Sequence, residues 1–250
     1  MIYISHLTDD IQMKNILKET GAGLECIEFS VSDNLDRLDE RLPRFEKRLK
    51  EMNVSRLTLH GPFLDLNPAS YDSHVAKVTR LRFEQAYAAA RKLGADKLVL
   101  HTGFIYRVHL PEGWAGRTAD FFNEFLEGKS GITVCLENVY DPVPRIMIEV
   151  KKRVRSSDFS LCLDIGHAHC NSDVPLDEWI EAFAPYTTHI HVHDNDKSWD
   201  NHQGLGKGTI DLGNVMPLLK SSIPDASVTI ECSEPGDILT TYRVLKDYGF

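Results

Sequence analysis

The sequence has no long hydrophobic run and a shortage of basic charge. No stretch of about eighteen apolar residues occurs, and the segment "MIYISHLTDD" has no basic part followed by an apolar one, so neither a membrane span nor a secretory signal is predicted. Lys and Arg number 28 against 37 Asp and Glu, and the formal net charge is −9. This balance disfavours nucleic acid as a partner, although a local positive groove would escape a whole-chain sum. We expect a cytoplasmic protein that does not contact membranes.

Cysteine is scarce and shows no metal-binding or redox spacing. The five cysteines are odd in number, lack any CxxC pair and mostly lie in apolar runs such as "TVCLEN" and "SLCLDIG". They are therefore predicted to be buried thiols in a reducing compartment. The length of 250 residues, with 42% hydrophobic and 26% charged residues, is typical of a globular chain and predicts one domain over residues 1–250.

Short apolar runs alternate with longer segments of helical spacing along the whole chain. About eight runs of strand length occur, at 2–5, 24–29, 56–60, 97–101, 132–137, 160–164, 189–194 and 227–232. Helices are predicted at 9–20, 33–52, 71–93, 117–128, 142–156, 176–184, 212–221 and 236–247. Strands that are apolar on both faces and alternate with helices indicate an α/β fold with a parallel sheet. Eight repeats predict a closed (β/α)8 TIM barrel.

One connection in this pattern is long and has no clean period. The segment "FIYRVHLPEGWAGR" (104–117) follows the fourth strand and is rich in turn residues. We expect it to form a loop over the mouth of the barrel.

Side chains able to bind metal stand at or near the ends of six predicted strands. They are His60, His101, Glu137, Asp164, His191 and Glu231. The carboxyl ends of all strands in a parallel barrel lie on one face, so these side chains are expected to converge. A single histidine at a strand end is more often a hydrogen-bonded core residue than a ligand. Several buried acids and imidazoles together require a compensating positive charge, and few Lys or Arg are nearby, so the cluster predicts a bound cation.

The loops add three further candidates. His167 follows Asp164 by three residues in "CLDIGHAH", and Asp200 and His202 precede the glycine-rich turn "GLGKG". Glycine tolerates positive φ, so this turn is able to fold back over the mouth. Alone, "DNH" indicates a solvated turn, but convergence with the strand ends favours a ligand role.

Other polar residues are expected to have roles other than metal binding. His193 is a candidate to support a ligand, His189 to pack deeper in the barrel, and Glu28 to orient a ligating histidine. The remaining histidines are expected to be structural or exposed: His6, His74, His109 and His169.

With these residues in hand, the chain resembles the xylose isomerase-like TIM-barrel superfamily, which includes sugar isomerases, ketose 3-epimerases and apurinic-site endonucleases related to endonuclease IV. The matching motifs are "LHGPF", "LVLHTG", "CLEN", "CLDIGHA", "HVHDND", "DNHQGLGKGTID" and "TIEC", in this order over nearly the whole chain. For the epimerase branch the resemblance implies a single-metal site of Glu137, Asp164, His191 and Glu231, in which both glutamates exchange the substrate proton. For the endonuclease branch it implies a three-metal set: His60, His101, Glu137, Asp164, His167, His191, Asp200, His202 and Glu231.

Departures from the endonuclease pattern favour the sugar branch. The chain has "HGPF" where the endonucleases resemble one another in "HAPY", and "SVSDNLDRLDE" replaces their Arg-rich DNA-binding loop. The fifth strand leads into "ENVYDPVP" and not into the small glycine-containing turn of that branch. Duplex binding depends on Lys and Arg opposite phosphates.

These features predict a divalent-metal-dependent isomerase or epimerase of a small sugar or sugar phosphate, with Glu137 and Glu231 as acid and base. Lys197 is a candidate to hold a substrate hydroxyl or phosphate, and a solvated loop lysine is the alternative. Five imidazoles with four carboxylates suit zinc, whereas the four-residue set alone suits manganese or magnesium. One to three ions per chain are expected, with the multi-metal site favoured. The alternatives are an endonuclease IV-like phosphodiesterase and a barrel that only binds its ligand.

Overall fold

Eight parallel strands close into a barrel in the computed structural model, which describes residues 1–250. Each strand pairs with the next, and β8 pairs with β1. The strands are β1 (Ile2–Ser5), β2 (Gly23–Cys26), β3 (Leu57–His60), β4 (Lys97–His101), β5 (Thr133–Glu137), β6 (Phe159–Asp164), β7 (Thr187–Val192) and β8 (Ser227–Ile230). The closed barrel with surrounding helices confirms the predicted single-domain (β/α)8 fold.

Ten α-helices follow or connect the strands. They are α1 (Asp10–Thr20), α2 (Ser32–Asp36), α3 (Leu38–Glu51), α4 (Ser73–Leu93), α5 (Trp114–Phe125), α6 (Arg145–Arg153), α7 (Ile165–Asn171), α8 (Leu176–Phe183), α9 (Leu212–Ser222) and α10 (Pro235–Asp247). Capping residues determine where several of these helices begin and end. The Asp9 and Asp72 carboxylates accept from the first backbone N–H groups of α1 and α4, and Gly21 and Gly94 end these helices with positive φ.

Several predicted boundaries were wrong. The predicted strand 24–29 ends at Cys26 because residues 28–30 turn into a 3-10 helix, and the predicted helix 33–52 is divided into α2 and α3. β7 begins and ends two residues earlier than predicted, since it pairs with β6 and β8 only over this range. Helix α5 begins at Trp114, so the long loop before it is shorter than expected.

The core has two compartments, one between strands and helices and one inside the barrel. Apolar side chains of the helices pack on the outer face of the strands, with Phe83, Trp114, Phe122 and Trp179 at most 1% exposed. The barrel interior is more polar and includes fully buried carboxylates and imidazoles below the mouth. None of the helices is long and apolar enough to cross a membrane.

Candidate metal centre

Four adjacent strands end in a candidate ligand, which explains how a dispersed set of residues meets. β3, β4, β5 and β6 end in His60, His101, Glu137 and Asp164. The register pairs His101 with Glu137 across β4 and β5, and Asp164 with His191 across β6 and β7. Because the strands are parallel, these side chains project into one mouth.

Glu137 lies at the centre of the cluster and is fully buried. Its Oε2 atom lies 3.3 Å from His60 Nε2 and 3.4 Å from His101 Nε2. Its Oε1 atom lies 3.1 Å from His191 Nδ1 and 3.3 Å from His167 Nδ1. Four imidazoles from four parts of the chain thus surround one carboxylate.

Three carboxylates surround His191 Nδ1. Glu231 Oε1 lies 3.2 Å from this nitrogen, and Asp164 Oδ2 lies 3.9 Å from it. Glu137, Asp164, His191 and Glu231 form the first group, whose ligand atoms all lie within 4.8 Å of one another. A second group of this kind consists of His60, His101 and Glu137, so Glu137 belongs to both.

The glycine-rich loop brings a third group onto the same mouth. Asp200 Oδ2 lies 3.1 Å from both His167 Nε2 and His202 Nε2, and Asp200 Oδ1 lies 3.6 Å from His193 Nδ1. Asp200 is 28% and His202 32% exposed, so these two side chains of "DNH" face the mouth, whereas Asn201 between them is exposed. The three groups together contain all nine residues of the predicted set, and His193 in addition.

Asp194 holds this loop in place. Its carboxylate accepts from the backbone N–H of Gly206 at 2.9 Å and of Ile210 at 3.2 Å, and its backbone pairs with Gln203. Residues 195–210 are thereby folded back toward the strand ends. Asp194 is not among the residues predicted from the sequence, and its position at the end of the "HIHVHD" run was the available signal.

The residues present fit divalent metal. Buried oxygens of three acids make no hydrogen bond, namely Glu137 Oε2, Asp164 Oδ2 and Asp200 Oδ1. Their charged neighbours are imidazoles, and no Lys or Arg forms an ion pair with any of them. Carboxylate oxygens with imidazole nitrogens are the donor set of zinc and manganese sites.

Protonation within the cluster differs among the histidines. Burial lowers the pKa of His101 to about 4, which keeps this imidazole neutral, as a metal ligand must be. Burial also opposes the charged form of His202, but its hydrogen bond with Asp200 and the nearby Glu231 raise its pKa to about 9.

Two expectations do not agree with the structure. Lys197 is exposed, has a left-handed backbone with φ of 68°, and does not line the cavity at the mouth. Lys197 is therefore better described as a solvated loop lysine. Glu28 does not orient a histidine, because its carboxylate binds Arg48 at 2.7 Å. The acid that contacts a candidate ligand from below is Glu25, which sequence reasoning missed.

A cavity of about 860 Å³ opens above the candidate ligands. Six of the nine line it, namely His60, His101, His167, Asp200, His202 and Glu231, whereas Glu137, Asp164 and His191 lie beneath. Apolar side chains also line the cavity, and they include Phe63, Leu64, Phe104, Ile105 and Tyr140. No Lys or Arg lines the cavity.

Gly166 makes room for His193, and we expect Gly166→Ala to disturb the third group. A Cβ atom at this position would overlap the His193 imidazole. Overpacking of this kind costs about 1–3 kcal/mol, so the unfolding temperature should fall. Gly236→Ala is the matched control, since nothing lies within 4 Å of a Cβ there. Thermal unfolding of both variants checks this, and equal stability would contradict it.

A closed (β/α)8 barrel with clustered acids and imidazoles at its carboxyl-terminal mouth defines the class of this protein. The family model described as xylose isomerase-like TIM barrel matches residues 17–248, and the chain belongs to this family.

Two curated relatives illustrate the range of the family. The chain is 27% identical over 221 residues to an uncharacterised protein of Methanocaldococcus jannaschii, covering 82% of this chain and 74% of that protein. It is 25% identical over 191 residues to a probable endonuclease 4 of Ureaplasma parvum, covering 67% of this chain and 62% of the relative.

Solved structures show the same fold over almost the full chain. A D-tagatose 3-epimerase-like protein superposes with a TM-score of 0.82 at 24% identity, covering 99% of this chain and 96% of the other. A Thermus thermophilus protein soaked with ZnCl2 superposes with a TM-score of 0.81 at 23% identity, covering 99% and 97%. At these identities the likeness establishes the fold alone.

Proposed function

We propose that the chain is a divalent-metal-dependent isomerase or epimerase of a small sugar or sugar-like polyol. The observation that carries this proposal is the group of Glu137, Asp164, His191 and Glu231 at the floor of a cavity that no Lys or Arg lines. The resemblance to the ketose epimerases implies that this group is the metal site and that its two glutamates transfer the substrate proton. The fold neighbour named as D-tagatose 3-epimerase-like supports the same activity.

The position of Glu231 supports a role in moving the substrate proton. It lines the cavity and is 6% exposed, whereas Glu137 is fully buried and does not line it. A bound divalent ion would supply positive charge that polarises a carbonyl and acidifies the neighbouring C–H bond. Glu231 would take that proton and return it to the former carbonyl carbon, while the hydroxyl proton moves in the same direction, to the former carbonyl oxygen.

The burial of Glu137 favours isomerisation over epimerisation. Epimerisation at one carbon needs a second group that delivers a proton to the opposite face. Glu137 is the candidate for that role, but imidazoles surround both of its oxygens. A single base that shuttles the proton between adjacent carbons requires Glu231 alone.

The cavity wall favours an unphosphorylated substrate. Phosphate groups are ordinarily held by Arg, Lys or helix N-termini, and neither cation lines this cavity. Imidazoles and carboxylates at the floor are suited to hydroxyl and carbonyl oxygens, and the apolar wall excludes water from the reacting end.

Phosphodiester hydrolysis is the second candidate, and one observation favours it. Two of the three ligand groups include Glu137, and the third adjoins it. This number of ligands is more than proton transfer requires and is suited to a multi-metal clamp on a phosphodiester. The relationship to a probable endonuclease 4 supports this alternative. The net charge of −9 and the cavity without Lys or Arg count against a DNA substrate.

Zinc or manganese is the metal that we propose. Five imidazoles among nine ligand candidates favour zinc for the full set, whereas the four-residue group alone suits manganese.

Five free cysteines, four of them buried, support a cytoplasmic location.

The two candidate functions are separated by one experiment with two substrate arms. We expect metal-loaded protein to incorporate solvent deuterium into a member of a panel of aldoses and ketoses, and chelator-treated protein to lose this activity. On a duplex with an abasic site we expect no sub-micromolar binding and no metal-dependent cleavage at moderate salt. Tight binding with a steep salt dependence, together with strand cleavage, would contradict the sugar proposal and favour the hydrolase.

A further inference from the structure

A second buried polar layer lies directly below the candidate metal centre. Glu25, Thr58, His189 and Thr229 come from β2, β3, β7 and β8, and all four are fully buried. The hydroxyls of Thr58 and Thr229 donate to Glu25 Oε2 at 2.9 and 3.1 Å. His189 Nε2 lies 3.2 Å from the same oxygen. Oε2 is thus held by three partners, and the orientation of the carboxylate is set.

The other carboxylate oxygen of Glu25 faces the candidate ligand His191. Glu25 Oε1 lies 3.2 Å from His191 Nε2, and neither atom makes a hydrogen bond elsewhere. The distance is within hydrogen-bond range, and an N–H on Nε2 that donates to Oε1 would satisfy both atoms. The opposite ring nitrogen, Nδ1, is the one beside Glu137 and Glu231.

We propose that Glu25 is a positioning residue that holds His191 with the proton on Nε2, so that the lone pair of Nδ1 faces Glu137, Asp164 and Glu231. This inference rests on the metal site of the proposed function. An imidazole that donates its second N–H to a carboxylate is fixed in tautomer and ring orientation, and it is a better metal ligand.

The composition of the layer indicates positioning and not a fourth metal site. Glu25, His189 and His191 lie close enough to share an ion. However, His189 Nδ1 is bonded to the Ser227 hydroxyl at 2.6 Å, and Glu25 Oε2 already accepts from two threonines. A carboxylate so engaged has one oxygen left, and that oxygen faces the side of His191 turned away from the centre.

The test is the zinc affinity of Glu25→Gln compared with that of Thr58→Val. The amide that Glu25→Gln introduces cannot accept at both positions, so it either loses the threonine contacts or presents N–H groups to His191. We expect zinc affinity, measured by competition with a chromophoric chelator, to fall by about 10–100-fold. Thr58→Val removes one of the three partners of Oε2, but Thr229 and His189 still hold this oxygen, so Oε1 keeps facing His191. We expect it to lower the unfolding temperature and leave zinc affinity unchanged.

A purely structural role for Glu25 predicts a different pattern. In that case both variants would lose thermal stability, and Glu25→Gln would keep the wild-type zinc affinity, which would overturn the inference. If the wild-type chain binds neither zinc nor manganese, that result would instead contradict the proposed function itself.

A measurement on the wild-type chain keeps the inference testable if Glu25→Gln does not fold. Nitrogen-15 spectra of histidine-labelled, zinc-loaded protein report which ring nitrogen carries the proton, and the His191 signal is assigned by its loss in His191→Asn. We expect a protonated Nε2 and a metal-shifted Nδ1. The reverse assignment, with zinc on Nε2, would refute the positioning role.

Discussion

Replacement of Glu231 by Gln should leave the barrel folded and remove turnover. Glu231 follows β8 and lines the cavity, so a substrate bound there reaches it directly. An amide cannot accept the substrate proton, and loss of a general base costs about 10²–10⁴-fold in rate. Thermal unfolding and solvent-deuterium incorporation into the substrate, measured on the same preparation, check both parts of the expectation.

The control for this variant is Glu234→Gln. Glu234 is exposed three residues further along the chain and does not line the cavity, so this change should preserve activity. The metal content of both variants must be measured, because an amide is also a poorer ligand. Deuterium exchange by Glu231→Gln at the wild-type rate, with metal retained, would eliminate the acid–base role.

The double change of Asp200 and His202 to Ala should remove at least one metal ion per chain. These residues provide two of the four donors in the third group, and the remaining two, His167 and His193, cannot complete a four-coordinate site alone. Elemental analysis of protein purified without chelator measures the result. Asp196→Ala is the matched control, because this acid lies exposed in the same loop and bonds to Ser198 and not to the centre.

The opposite outcome has an equally definite meaning. If metal content stays at the wild-type value and KM rises, Asp200 and His202 contact substrate and do not bind metal. The centre would then consist of the four-residue group alone, as the resemblance implies for the ketose epimerases.

The sequence by itself determined the fold class and the face on which the chemistry lies. Eight apolar runs alternating with helical segments are sufficient for a parallel barrel, and a barrel places every strand's carboxyl end on one face. His60, His101, Glu137 and Asp164 end their strands as predicted, so their convergence follows from topology without knowledge of the packing. Element ends were less predictable, as β2 and α5 illustrate, because pairing with neighbours and local turns decide them.

Only the tertiary structure decided which polar residues face each other across the barrel. Glu25 lies in an ordinary strand sequence, and its contact with His191 joins residues on β2 and β7. Asp194 folds the loop that carries Asp200, while Lys197 in the same loop turns outward. Periodicity specifies the face of a strand or helix, but the layer within a barrel and the path of a loop depend on strand register and on long-range hydrogen bonds, which no local pattern encodes.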